Sequence, residues 1–486
     1  MKKFIILLAA VSTTLLSTGC MDDYLNEPNN SDSGNLSPED AYKSYDGTQA
    51  VMAGLLRLQR WQWMDDDFAR STDVGGLYAM EFRRAVKGDD VIIYSSWYLG
   101  DYQNNDANRE LTSNKSVFTW RFPYTMIAKL NQFIKGVETS TRLSENEKNE
   151  FLSQGKALRG FYYYQLALEF NHALKKDPNA LAAPIYTEVS TEGKPMSKLV
   201  DLYGQITSDL EFAVQNGTDT RVDNSWINKR VSAGILSNVY LSMEEWSKAE
   251  SMAKIAYNQD VKSALNTVVT YKPIGFNDRT DKEWLWSIPQ RADQSNYYYL
   301  APHAFMDPIN PAYNNGYINV NFVKKFADND RRKEAFMLKS ASLPETDPRY
   351  YVSKKFTFAF SSDAAIFRLP EFVLVAAEAA YHQGKIAEAN QILNDFKSTR
   401  YTNYVNENLS GDALFEEILL ERRKELYAEN GVEWFDAKRL QRGITRTGNH
   451  AQPLTMAPND KKFVMKVPQI EIDNNPFIDA SINNGR

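Results

Sequence analysis

The chain has 486 residues, with 56 Lys+Arg against 62 Asp+Glu and a formal net charge of −6. That balance gives no electrostatic reason to bind nucleic acid or an anionic membrane surface. A single cysteine excludes an intramolecular disulfide framework and any cysteine-based zinc cluster, while aromatic residues at 13% are generous for a soluble chain.

Residues 1–19 read as a signal peptide: Lys2 and Lys3, the apolar run FIILLAAV, then small and polar residues up to Gly19. The apolar run is too short for a transmembrane helix, and no other segment approaches the ~20 apolar residues needed to span. Cys20, the lone cysteine, follows Leu16-Ser17-Thr18-Gly19 in the manner of a bacterial lipobox, with Ser17 where leucine is commoner. Its thiol is therefore expected to carry lipid after cleavage, and each buried methylene of that lipid contributes roughly 0.8 kcal/mol to membrane anchoring. Without Lys2 and Lys3 the charge becomes 54 − 62 = −8. Residues 20–37, with Asp22, Asp23, Glu27, Asp32 and several Asn and Ser, have the composition of a solvated tether.

In chain order, Ser37-Pro38-Glu39 opens a helix that runs towards Arg60. Residues 61–119 lose helical regularity, and long loops in a compact domain are usually functional or mobile. Helical spacing returns at Trp120–Thr139 and at Leu143–Phe170, the latter led by a Ser144/Glu147 capping box, then at Leu199–Gln215. Glu283–Pro289 reads as a short strand, Asn296–Asn321 as a second long irregular loop, and the tail KKFVMKVPQIEIDNNPFI alternates as a strand with a turn.

Within Leu369–Lys397, Phe372, Val375, Ala376, Ala379 and Ala380 keep helical spacing, Gly384 interrupts it, and Ile386, Ala389, Ile392, Leu393 and Phe396 resume it. Small residues would let the helices approach closely, as in the antiparallel hairpins of an α-solenoid. Val231–Asn258 aligns with this stretch at a constant offset, since Ala389 minus Ala249 and Ile386 minus Trp246 both give 140. Tyr240, Ala249, Ala253 and Ala256 fall near tetratricopeptide positions, so the pair reads as a divergent repeat. No low-complexity linker breaks the body, which is expected to be a single domain over 38–486, with its helical scaffold mainly in 38–60, 120–258 and 368–440 and loop-rich regions at 61–119 and 283–367.

Enzyme signatures are few. His172, His303, His382 and His450 are scattered without HExxH spacing, and neither GxSxG nor a P-loop occurs. Paired acids at Asp65-Asp66-Asp67 and Asp89-Asp90 leave an acid-based glycosidase open, although such loops are usually only solvated. Their spacing lacks the EF-hand glycine. The consecutive Tyr162-Tyr163-Tyr164, and Trp434-Phe435, point around their helices and read as packing.

The hairpin RLPEFVLVAAEAAYHQGKIAEANQILNDFKSTR, the segment ILLERRKELYAENGVEWFDAKR and the terminal PQIEIDNNPF together resemble the SusD/RagB family of Bacteroidetes outer-membrane lipoproteins. Trp120 with Tyr124, Ile127 and Asn131, and Cys20 followed by Asp22-Asp23, add to the resemblance. It covers essentially the whole body. The resemblance implies a mainly α fold: tetratricopeptide-like helical hairpins form a scaffold, with a loop-rich ligand-binding face and a few short strands. It also implies a surface-exposed, non-catalytic lipoprotein without a cofactor, which captures oligosaccharide, or in some members peptide, for a SusC-like TonB-dependent outer-membrane transporter.

A sugar-binding face needs flat aromatic platforms beside hydrogen-bonding groups. By the family's layout such a face draws on the two long loops: Trp97, Tyr98 and Asn104 with Arg84 upstream in the first, and Tyr297, Tyr298 and Tyr313 in the second. Trp97 is the leading platform candidate. The rival reading is that these large aromatics fill the core or cap the domain.

Overall fold

The computed structural model describes residues 38–60, 74–95, 97–104, 106–292, 302–310, 313 and 315–486. The expected first helix is in fact divided. A single turn, Pro38–Ala41, ends at Tyr42, and helix α1 (Tyr45–Leu58) restarts on Ser44, whose hydroxyl accepts from the Gly47 N–H at 3.1 Å. Gly47 permits the break, because a Cβ there would run into the Ala41 carbonyl. Helix α2 (Gly76–Ala85) stands inside the region expected to be irregular. Its residues Gly76 to Arg84 are all buried, Glu81, Arg83 and Arg84 included, so none of its faces is solvated.

Helices α3 (Asn114–Thr139), α4 (Glu145–Phe170) and α5 (Leu199–Asn216) pack side by side. α3 starts at the Ser113 cap, ahead of the expected Trp120. α4 begins on the expected capping box, with the Ser144 N–H donating to Glu147 at 2.8 Å and the Glu147 N–H to Ser144 at 3.4 Å. Gly160 brings α4 close to α5, its missing Cβ lying 3.1 Å from Leu210 Cγ. Tyr162, Tyr163 and Tyr164 are buried among these helices.

The two hairpins follow: α6 (Lys229–Ser242) with α7 (Trp246–Ala256), and α8 (Leu369–His382) with α9 (Ile386–Lys397). Their equivalence extends to the turns. Gly384 takes φ +74°, and Glu244, 140 residues earlier, takes φ +60°. A non-glycine residue holds the left-handed position in the first repeat, which is why its turn carries no glycine signal. Ala249, Ala253 and Ala256 and Ala376, Ala377, Ala379, Ala380 and Ala389 are fully buried where the hairpins meet. A Cβ on Gly234 of α6 would lie 2.6 Å from Phe372 Cζ of α8. Trp246 stacks on His382 at 4.0 Å between centroids, joining one hairpin to the next. Helices α10 (Gly411–Glu425) and α11 (Val432–Arg439) close the scaffold, with Trp434 buried as expected.

Strands β1 (Val91–Ile93), β3 (Gly316–Ile318), β4 (Phe336–Leu338) and β5 (Tyr351–Ser353) make an antiparallel sheet in the order β1-β3-β5-β4, while β2 (Trp284–Ile288) pairs with β6 (Ala364–Arg368). Val91 lies opposite Ile318 and Leu338 opposite Tyr351. The four-stranded sheet has its own apolar cluster, with Phe82, Ile92, Tyr98, Phe305, Phe322 and Tyr427 at its centre. The tail does not form the expected strand: Lys461–Phe463 is a 3-10 turn and Gln469–Asn474 a helix without buried residues. Pro468 at the helix N-cap interrupts the alternation on which that expectation rested.

Between the two parts lies a buried ionic cluster. Glu425 of α10 accepts from Arg368 of β6 at 2.7 Å and from Arg400 at 2.9 and 3.0 Å. Arg332 reaches Asp330 at 2.8 Å and Glu421 at 2.6 Å, Lys355 reaches Glu429 at 2.5 Å, and Lys424 reaches Glu421 at 3.0 Å. Glu283 completes it, 2.9 Å from Arg400. The cations Arg332, Lys355, Arg368, Arg400 and Lys424 are matched in number by the anions Glu283, Asp330, Glu421, Glu425 and Glu429. Charge balance is what makes burial of so many ionised groups tolerable.

Candidate aromatic binding face

The four-stranded sheet holds the segment after β1 against the segment before β3. Tyr94 N–H donates to the Asn315 carbonyl at 2.9 Å, and Asn315 Nδ2 donates to the Ser95 carbonyl at 2.5 Å. The segment after β1 carries two exposed aromatic rings. Trp97, 40% exposed, meets the Tyr313 ring edge-on at 6.4 Å, and Tyr313 stacks on buried Phe305 at 4.8 Å and 15°. Tyr94, 48% exposed, meets Tyr317 edge-on at 6.2 Å.

Trp97 is held from beneath. Lys115 of α3 donates to the Trp97 carbonyl at 3.4 Å and to Asp101 at 2.5 Å, and Asp101 also pairs with Arg83 at 3.3 Å. Burial alone would raise the Asp101 carboxyl, but Lys115 and Arg83 hold it down to about 2. The loop carrying the tryptophan is thus tied by ionised groups to helices α2 and α3.

Of the residues proposed for the ligand face, Trp97 and Tyr313 are brought together. Three others belong to the core. Tyr98 is fully buried, edge-on to Phe82 at 4.9 Å and Phe305 at 4.8 Å. Arg84 is buried on α2, donating to Glu169 at 2.5 Å and to Gln165 at 2.7 Å. Asn104 is buried with φ +53°, its Nδ2 on the Met456 sulfur at 2.9 Å. These assignments are corrected: polar character near an aromatic residue marks an interior network as readily as a ligand contact. Tyr297 and Tyr298 lie outside the described residues, as does Cys20.

Tyr94, Lys339 and Arg349 were missed. Arg349 Cζ lies 5.1 Å from the Tyr94 ring centroid, and Lys339 Nζ lies 2.8 Å from the Tyr317 hydroxyl. The available signal was Tyr94 just beyond the Val91-Ile92-Ile93 strand and the Arg349-Tyr350-Tyr351 run opening β5. Both lie within loop-rich regions, where no strand was expected at Val91–Ile93 or Tyr351–Ser353.

The acid pair Asp89-Asp90 is engaged internally. Arg423 grips Asp90 at 2.7 and 2.5 Å, and Asp89 accepts from the Thr447 N–H at 2.7 Å and from Asn319 Nδ2 at 3.1 Å. Burial, opposed by Arg423 and assisted by Glu433, raises the Asp90 carboxyl to about 7. Neither acid faces the aromatic surface in these contacts. Asp65, Asp66 and Asp67 lie outside the described residues.

An antiparallel-hairpin scaffold beside a small sheet, with exposed Tyr94 and Trp97 following its first strand, defines a mainly helical repeat protein. The family assignment agrees. Residues 177–479 match the model of the SusD family, and residues 70–241 match a second model described as starch-binding associating with outer membrane. The chain belongs to the SusD family. A curated relative, SusD-like protein P2 of Formosa agariphila, is 23% identical over 400 residues, covering 73% of this chain and 78% of its own. Among solved structures, a SusD-like carbohydrate binding protein from Bacteroides vulgatus has a TM-score of 0.76 at 27% identity, covering 90% of this chain and 97% of its own. Surface glycan-binding protein A from Bacteroides thetaiotaomicron, solved with laminarihexaose, is similar in fold, with a TM-score of 0.67 at 14% identity over 89% of this chain and 98% of its own. Among the described residues no helix is long and apolar enough to cross a membrane.

Proposed function

We propose that this protein is a lipid-anchored receptor on the outer face of the outer membrane, which captures an oligosaccharide on the Trp97 face and delivers it to a SusC-like TonB-dependent transporter. The observation that carries the reading is Trp97: a large apolar ring 40% exposed, yet seated on Tyr313 and fixed through the Lys115–Asp101 pair. An aromatic ring kept both rigid and open suits stacking against the C–H face of a sugar, because little side-chain entropy is lost on binding. Membership in a carbohydrate-binding family and the glycan-bound relative support the ligand class. Cys20 in its lipobox context supports the anchor, and the family model's outer-membrane description supports the location.

Calorimetric titration of the soluble body with a panel of oligosaccharides and of peptides tests the reading. Saturable binding to at least one glycan is expected. Binding to peptides alone would move the substrate class to peptide.

A further inference from the structure

The aromatic row is electrostatically uneven. At the Tyr94 end stand Arg349, beside the Tyr94 ring, and Lys339, whose ammonium contacts the Tyr317 hydroxyl at 2.8 Å and lies 4.8 Å from the ring centroid. Asp347 answers Arg349 at 2.8 Å, and Glu345 is answered by Lys324. Among the described residues Lys339 has no carboxylate within ion-pair distance. Among the described residues, Lys339 and Arg349 against Asp347 give +2 − 1 = +1 at this end, on a chain whose total is −6. A net cation placed beside solvent-exposed rings, on an otherwise acidic protein, attracts anions to that spot. Tyr94 and Trp97 are three residues apart, so extended backbone places them no more than about 11 Å from each other.

We infer that the aromatic face selects an acidic oligosaccharide, one bearing carboxylate or sulfate groups, with a sugar ring on Trp97 and the anionic group beside Lys339 and Arg349. Asp347 holds the Arg349 fork, accepting from Nε at 3.0 Å and from Nη2 at 2.8 Å, so Lys339 supplies the point charge that meets the anion. This rests on the proposed glycan-binding role of the same face.

The test compares uronate-bearing and sulfated oligosaccharides with carboxyl-reduced or desulfated counterparts of the same length, by calorimetry on the wild type, Lys339→Ala/Arg349→Ala and Trp97→Ala. The acidic member of a bound pair is expected to bind roughly tenfold more tightly than its neutral counterpart at low salt, since a charge-assisted hydrogen bond contributes on that scale. The double variant should erase that preference, and Trp97→Ala should weaken both members. Equal or tighter binding of the neutral member, or a preference that survives the double variant, overturns the acidic selection and leaves the glycan-binding role standing. Failure of every glycan to bind overturns both. Circular dichroism of each variant separates lost binding from lost folding.

Discussion

Replacing Glu425 by leucine removes the carboxylate at the centre of the cluster that joins α10 to β6 and to Arg400. Its side chain is 0% exposed, as is that of Arg400, and Arg368 is 4% exposed, so water cannot stand in for the lost partner. The count falls from five anions facing five cations to four facing five, with Arg368 and Arg400 losing their shortest contacts to Glu425. Breaking a buried pair in this way costs about 3–5 kcal/mol. Urea denaturation followed by tryptophan fluorescence reads this as a lower midpoint at unchanged slope. Burial alone would raise the Glu425 carboxyl, but Arg400 and Arg368 hold it well below the usual carboxylate range. Its stabilisation is therefore fully present above an unfolded-state pKa of about 4.3 and is lost as pH falls towards the folded value. The variant should lack that share of the acid sensitivity, and Arg400→Met added to Glu425→Leu should recover part of the lost stability. A single variant within about 1 kcal/mol of the wild type would refute the reasoning, because the charge imbalance would then be absorbed elsewhere.

Other expectations follow from the fold and its surface. Gly234→Val should destabilise by about 1–3 kcal/mol in the same denaturation assay, because Phe372 occupies the space a side chain needs. Gly384→Ala should cost roughly 1 kcal/mol through its left-handed φ alone, nothing lying within 4 Å of the added methyl, whereas Glu244→Gly at the equivalent turn should cost nothing or stabilise. Burial raises the Glu371 carboxyl to about 7, opposed by the Asn238 side chain, so the wild type should lose stability as pH rises from about 4.5 through 7. Glu371→Gln should lack that share of the loss, as midpoints measured at several pH values would reveal, while Asp90, also raised to about 7, keeps its own. Cys20→Ala should move the protein from the membrane fraction to the soluble fraction of cells that process lipoproteins; retention in the membrane would remove the lipid anchor from the account.

The scaffold was legible because its signals are local. Helix α4 declares itself through its capping box, α5 and α8 through apolar spacing, and the 140-residue offset carries one hairpin onto the other without reference to distant contacts. What escaped was buried on every side or assembled from afar. α2 is only ten residues long and buries Glu81, Arg83 and Arg84, and the four-stranded sheet is built from short strands distributed between residues 91 and 353. The same limit divides the candidate face. Trp97 and Tyr313 were recognisable as residue types suited to sugar, but only the fold distinguishes Trp97, which is open, from Tyr98, which the next backbone step turns into the core between Phe82 and Phe305. Lys339 and Arg349 reach the face by strand pairing across β3 and β5, which no local spacing records.

The dissociation constant of one bound oligosaccharide, measured by titration on the wild type and on Trp97→Ala at the same pH and salt, tests the central claim most directly. Loss of a stacked aromatic anchor is expected to weaken binding by roughly 2 kcal/mol, about thirtyfold, with thermal stability unchanged. An unaltered dissociation constant in a folded Trp97→Ala protein would contradict the account and place recognition elsewhere on the molecule.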